Sequence, residues 1–181
     1  SSQKGTVFFA IQGDRHDGHR YLHDLYRKGV RQFVVERPIE KPEVLSGCNI
    51  IRVKSFVDAL QKLAAFHRSK FSIPIIGVTG SNGKTIIKDW LSQVLSIQFN
   101  VCKNPKSYNS QIGVPLSVWN LQSEHEIGIF EAGISQPGEM QKLEPIILPK
   151  VGIFTNIGAA HEENFKSREE KITEKLQLFV H

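Results

Sequence analysis

The stretch Gly77-Val-Thr-Gly-Ser-Asn-Gly-Lys-Thr85 decides how this chain is read, because it joins an apolar run, Ile75 to Val78, to a segment with Ile87, Leu91, Val94 and Leu95 at helical spacing. A strand that turns through glycines into a helix aims backbone N–H groups and the positive end of the helix at one point in space, and that suits phosphate oxygens. In this stretch Gly80, Ser81, Asn82 and Gly83 would form the turn, Lys84 would reach the β and γ phosphates of a nucleotide, and Thr85 would offer a hydroxyl to Mg2+. The glycine spacing is a variant one. Five residues separate Gly77 from Gly83, so the pattern is GxxGxxGKT and differs from that of most GTPases and kinases.

Working outward, the same alternation of strand and helix appears on both sides. Upstream, Thr6 to Ile11, Val30 to Glu36 and Asn49 to Val53 read as strands, with a helix carrying Tyr21, Leu22, Leu25 and Tyr26, and another starting at Ser55 with Phe56, Leu60, Leu63 and Ala64 on one face. The segment Ser69 to Pro74 interrupts the pattern and sets a boundary, giving domains 1–72 and 73–181. Downstream, a short strand is expected near Phe99 to Cys102, then a polar loop from Lys103 to Ser110 and a helix around Val114 to Leu121. Strand Ile127 to Glu131, helix Gly138 to Ile147, strand Val151 to Asn156 and a helix from about Ser167 complete the series. Strands alternating with helices predict an α/β protein: a small α/β domain followed by a mainly parallel, doubly wound one.

Composition agrees with a folded protein that handles phosphorylated small molecules. The chain has 181 residues, 40% hydrophobic and 23% charged, enough to build a core without disulfides. Cys48 and Cys102 lack a CxxC spacing and are expected as reduced thiols of a cytosolic protein. No apolar run is long enough for a membrane span, and no secretory signal is recognised. The net charge of +5 comes from basic residues dispersed among acids, with no nucleic-acid motif beside them, so nucleic acid is not expected as a partner. The last segment, with Ile172, Leu176, Phe179 and Val180, is amphipathic, and the chain reads as a piece of something longer.

A phosphate loop indicates a nucleotide, and the reaction must come from other groups. Glu131 ends the strand IGIFE, where its carboxylate would emerge at the same sheet edge as the loop and could bind Mg2+; a solvated loop glutamate is the plainer alternative. His161 follows the strand GIFTNI on that same edge, and by itself reads as a surface histidine. Lys175 lies within the last helix, where a lysine is ordinarily a solvated charge.

Taken together, GVTGSNGKT, SYNSQIGVPLSV (107–118), FEAG (130–133) with GEM (138–140), and FTNIGAAHEENF (154–165) with a lysine fourteen residues beyond its histidine resemble the Mur ligases in order and spacing, the MurF type most closely. The opening GTVFFAIQGDRHDGH (5–19) resembles the start of that family's first domain. The resemblance implies an ATP-dependent, ADP-forming ligase that adds D-alanyl-D-alanine to a UDP-N-acetylmuramoyl tripeptide through an acyl phosphate. It implies that Lys84 acts on the ATP phosphates, that Thr85 and Glu131 bind one Mg2+, and that His161 serves a second metal. Lys175 would match the family lysine that can be carbamylated. Asn109 and Asn156 would line the cleft, and Arg15, Asp17, Gly18 and His19 would lie in the loop that takes the UDP end of the substrate. Ile86 and Ile87 stand where many members have a further hydroxyl after the loop threonine. The family's Asp-Ser-Arg segment and its third, C-terminal domain are expected outside these residues, as is the alanine racemase fused to some members, and the piece alone is expected to catalyse little. Alternatives within the class are another Mur-type or a folylpolyglutamate synthase-like ligase. Outside it stand a P-loop NTPase or phosphotransferase and a non-catalytic nucleotide-binding module.

Overall fold

The computed structural model describes residues 5–13, 16–158 and 162–180. The chain forms two compact units, Ser1–Ala59 and Leu60–His181.

The first unit holds three parallel strands in the order β1 (Val7–Phe9), β2 (Gln32–Val35) and β3 (Asn49–Arg52), with helix α1 (Leu22–Arg27) between the first two. Its core gathers Ala10, Leu22, Val30, Phe33, Val35 and Leu45. Strand β1 is shorter than the apolar run predicts. Gly18 N–H donates to Ile11 O at 2.7 Å and Gln12 bridges to Asp17, so the chain folds back on itself just after Phe9. Tyr21, expected on the inward face of α1, is 54% exposed. Helix α2 (Phe56–Arg68) begins in this unit, where the Glu36 carboxylate accepts from the Phe56 N–H at 2.5 Å, and continues into the second.

The second unit is built on a four-stranded parallel sheet ordered β5 (Val101–Lys103), β6 (Ile127–Glu131), β4 (Ile75–Thr79) and β7 (Val151–Phe154). Strand β4 is central. The chain leaves it in one direction to build β5 and β6 and in the other to add β7, so strand order reverses at the strand that carries the glycine turn, the position at which open parallel sheets hold ligands. Helices α3 (Lys84–Leu95), α4 (Gly113–Val118), α5 (Met140–Ile147) and α6 (Arg168–Leu176) connect and follow the strands. Ile75, Val114, Val118, Phe130, Met140, Leu143 and Ile147 form the centre of its core.

Several boundaries differ from the sequence reading. Helix α5 starts at Met140 and not Gly138, because the Glu139 carboxylate turns back to accept from Ser135 and Gln136 N–H groups and closes a turn first. Strand β7 stops at Phe154; Thr155 N–H still donates to Thr79 O, but the Thr155 hydroxyl and the Asn156 side chain turn to the glycine turn at Asn82 O. Of the apolar set expected inward on α3, Ile87, Leu91 and Leu95 are half-buried and Val94 is 64% exposed, while Lys88 and Ser92 are its buried residues. The same inversion occurs at the chain's end: Lys171 and Lys175 are buried, while Leu176 and Val180 are exposed. Both cysteines are free, Cys102 is buried, and burial raises its thiol to about 11. Among the described residues no helix is long and apolar enough to cross a membrane.

Candidate functional site

Parallel pairing sets Val78 beside Glu131 and Thr79 beside Phe154, so whatever follows these strand ends meets at one edge of the sheet. Gly80 follows β4 with φ of +135°, and a Cβ there would stand 2.1 Å from Thr155 Oγ1, so glycine alone fits. The turn is then pinned to the end of β7. Ser81 N–H donates to Asn156 O at 2.9 Å and Asn82 N–H to Asn156 Oδ1 at 3.1 Å, while Thr155 Oγ1 and Asn156 Nδ2 donate to Asn82 O at 2.6 and 3.2 Å. Gly83, with φ of +79°, stands before the first residue of α3. A cleft of about 310 Å³ opens against Ser81, Asn82, Gly83, Lys84, Thr85 and Asn109.

Three lysines meet carbonyls at or beside this turn. Lys84 Nζ donates to Gly80 O and Ser81 O, each at 3.0 Å, and Lys175 Nζ donates to the same Gly80 O at 3.1 Å. Lys171 Nζ, one helical turn before Lys175, donates to Gly158 O at 2.6 Å, and Ser81 Oγ donates to that carbonyl at 3.3 Å. Burial pushes the Lys175 amine down to about 8, helped by the charges of Lys84 and Lys171. Burial also lowers Lys84, against the opposing pull of Glu131.

Glu131 is fully buried. Its Oε1 accepts from the Thr85 hydroxyl and the Asn109 amide, both at 3.1 Å, and its Oε2 has no hydrogen-bond partner. A bare, buried carboxylate oxygen next to a hydroxyl is costly without a cation and is a fitting donor set for a hard divalent ion. Thr85 and Glu131 are therefore the side chains that would fit a hard divalent cation such as Mg2+. No group of three or more His, Cys, Asp or Glu side chains is gathered for a metal among the described residues. His161 lies outside the described residues.

In the first unit, the Asp17 carboxylate accepts from His19 N–H at 3.0 Å, lies 2.8 Å from His19 Nδ1 and pairs with Arg37. Burial acts to raise the Asp17 carboxyl, but the His19 hydrogen bonds and the Arg37 charge prevail and hold it below the usual range. Gly18 packs so closely on Ala10 and Ile11 that a Cβ would come within 2.7 Å of the Ile11 nitrogen. Asp17 and His19 line a cleft of about 690 Å³ that also takes in Arg20, His23, Arg37 and Lys41. The buried His19 Nε2 has no hydrogen-bond partner. Arg15 lies outside the described residues.

The structure thus brings Gly80 to Thr85, Asn109, Glu131, Asn156 and Lys175 to one edge of one sheet. It adds three residues that sequence reasoning passed over: Lys88, Asn104 and Lys171. The lysines left a faint signal, since each lies four residues from a site lysine on the same helix. Asn104 left none beyond membership of a polar loop.

Residues 78–181 match the Mur ligase middle domain, and residues 1–68 match a domain described as Mur ligase family, catalytic domain. The UDP-N-acetylmuramoyl-tripeptide--D-alanyl-D-alanine ligase of Treponema pallidum is 36% identical over 180 residues, covering 96% of this chain and 39% of its own length. The chain thus spans about two fifths of that relative. The crystal structure of MurF ligase from Thermotoga maritima in complex with ADP matches with a TM-score of 0.86 and 36% identity, over 97% of this chain and 40% of that one. A MurF structure from Acinetobacter baumannii matches with a TM-score of 0.87 and 30% identity, over 96% and 38%.

Proposed function

Because the chain belongs to the Mur ligase family, we propose that it carries nucleotide-binding and acceptor-binding parts of an ADP-forming ligase that joins D-alanyl-D-alanine to UDP-N-acetylmuramoyl tripeptide. The reading rests on relatives of that name that align over nearly the whole chain. The observation that carries the chemistry is the bare, buried Oε2 of the Glu131 carboxylate, whose other oxygen accepts from the Thr85 hydroxyl just after the glycine turn.

A carboxylate is a poor acylating agent, so it must first be activated. Transfer of the γ-phosphoryl group of ATP to the terminal carboxylate of the tripeptide gives an acyl phosphate and ADP. Attack by the amine of the dipeptide then expels phosphate and leaves an amide. In both steps charge develops on oxygens, and groups arranged in advance lower the barrier most. In this reading Lys84 and the first N–H groups of α3 hold the phosphates, and Thr85 and Glu131 hold Mg2+, which neutralises phosphate charge when bound. Asn109 orients Glu131. Asn156 keeps Ser81 and Asn82 in the turn.

Lys175 is assigned as a carbamylation site: its neutral amine adds to CO2, forms an N–C bond and releases a proton, turning a cation into an anion. A value of about 8 leaves an appreciable neutral fraction near neutral pH and supports the assignment. His161 is assigned to a second metal by family resemblance. Residues 1–72 are proposed as the domain for the UDP end of the acceptor, with Arg15, Asp17, Gly18 and His19 in its loop, and 73–181 as the ATP domain. The activity as a whole, its cytoplasmic setting and a further C-terminal domain belong to the same proposal.

The test uses the complete gene product with ATP, Mg2+, UDP-N-acetylmuramoyl tripeptide and either D-alanyl-D-alanine or single amino acids, with products read by mass. The expected result is a pentapeptide product with stoichiometric ADP. Product with another amine only would move the protein to a sister ligase, and ATP turnover without coupled product would reject a ligase. Lys84→Ala should slow ADP formation at least about 100-fold; a rate near wild type would reject the phosphate-loop mechanism.

A further inference from the structure

Glu131 is held by more than its own strand. Asn104, fully buried in the loop after β5, accepts from the Glu131 N–H through Oδ1 at 2.6 Å and donates through Nδ2 to Glu131 O at 3.3 Å and Tyr108 O at 2.6 Å. One side chain therefore binds both backbone groups of the residue whose carboxylate faces the phosphate turn, and spans the loop that carries Asn109. That loop returns two side chains to the site: Asn109 Nδ2 lies 3.1 Å from Glu131 Oε1, and Ser107 Oγ lies 3.2 Å from Thr85 Oγ1.

The loop is fastened from the other side by Lys88. This lysine lies one turn beyond Lys84 on α3 and is wholly buried. Its ammonium donates to Asn104 O at 3.0 Å and to Lys106 O, in a turn where Lys106 adopts φ of +49°, and it stands 3.7 Å from the Asp89 carboxylate. A buried ammonium spent on two loop carbonyls is an expensive fastening unless the loop's position matters. The loop is also wedged by neighbours: a Cβ on Gly113 would meet the Tyr108 backbone at 2.7 Å, and one on Gly133 would meet Asn109 Oδ1 at 3.1 Å.

We infer that Asn104 and Lys88 are positioning residues, which fix Glu131 and Asn109 relative to the phosphate-loop helix so that the Thr85 hydroxyl and the Glu131 carboxylate face one Mg2+. Both are fully buried, and neither lines the cleft at the glycine turn. The helix that carries Lys84 and Thr85 also carries Lys88, so displacement of the phosphate loop and displacement of the carboxylate are tied to each other. The inference rests on the proposed reading of Thr85 and Glu131 as the metal pair.

The experiment measures ADP binding to the complete gene product by calorimetry over a range of Mg2+ concentrations, and reads the Mg2+ concentration at which the metal-dependent gain in affinity is half complete. Asn104→Ala and Lys88→Met should each raise that concentration about tenfold or more, the size of effect expected when a residue behind a metal ligand is lost. ADP affinity without Mg2+ should stay within about twofold, since Lys84 and the turn are intact. Glu131→Gln is the reference variant. If it leaves the Mg2+ dependence unchanged, the metal reading itself fails. If it abolishes the dependence while both other variants match wild type, the positioning role alone is overturned. Thermal melts accompany each titration: should both variants fail to fold, the pair supports the fold and not the site, which also overturns the inference.

Discussion

Two ammonium groups converge on the single carbonyl of Gly80, Lys84 Nζ at 3.0 Å and Lys175 Nζ at 3.1 Å, and repulsion between them is part of why the Lys175 amine is lowered from its ordinary 10.5 to about 8 after burial has acted. This makes a pH-dependent contribution to stability whose sign is fixed. The unfolded chain keeps the Lys175 proton up to about pH 10.5 and the folded chain releases it near pH 8, so between those values the unfolded state binds more protons and stability rises with pH. Below pH 8 both states are protonated and the cost of the buried charge is constant. Comparison of wild type with Lys175→Met by urea denaturation in CO2-free buffer should show the difference in unfolding free energy moving toward the wild type across this window, by on the order of 2 kcal/mol. A difference that stays flat from pH 7 to 10 would reject the assignment of Lys175 as a lowered, buried amine.

At the scale of the element, helix ends decide the fit of α2 to α5. The last carbonyls of a helix have no partner within it, and α5 is capped after Ile147 by Leu148, with φ of +46°. Arg68, at the end of α2 and nearly buried, donates to Ile147 O at 3.0 Å, Leu148 O at 3.3 Å and Phe71 O, binding one helix end to another. Arg68→Ala leaves these carbonyls bare and should cost about 2 to 4 kcal/mol in urea denaturation, with Arg68→Lys recovering less than half because an ammonium cannot span the fork; a loss under about 1 kcal/mol would show that water replaces the guanidinium. Such ties explain what the sequence could and could not tell. Strand β6 is legible, since IGIFE is an apolar run ended by an acid, and so is the glycine turn, whose letters encode its conformation and its ligand. The inward faces of α3 and α6 are misread, because Lys88, Lys171 and Lys175 are buried by hydrogen bonds to carbonyls of remote loops, which periodicity counts as solvated charge. The roles of Asn104 and Glu131 depend on β5, β6 and β4 lying in a particular register, a property of pairing between segments and not of any one segment.

Over the whole molecule, the two units have separate cores, and this bears on what each contributes to binding. Phe33 is 1% exposed in the core of the first unit and meets the Phe8 ring edge-on at 6.3 Å, so Phe33→Ala should cost about 3 to 5 kcal/mol, a large share of what a unit of roughly sixty residues can hold. The residues proposed for the nucleotide site, from Gly80 to Lys175, all belong to the second unit, whose core is centred on Ile75, Phe130, Leu143 and Ile147. The chain crosses from one unit to the other within α2, after Ala59, so loss of order in the first unit removes the Glu36 cap at Phe56 and frays the helix start, leaving the turns from Leu60 onward. We therefore expect Phe33→Ala to lose part of its circular-dichroism signal at a lower temperature than wild type, while ADP affinity in the presence of Mg2+ stays within about twofold. Binding of UDP-N-acetylmuramoyl tripeptide, whose UDP end is proposed for residues 1–72, should fall by at least about tenfold in the same variant, because the fraction of the first unit able to bind has dropped. A parallel fall in ADP affinity would mean that the nucleotide site needs the first unit to be folded, and the division of labour proposed for the two would be wrong.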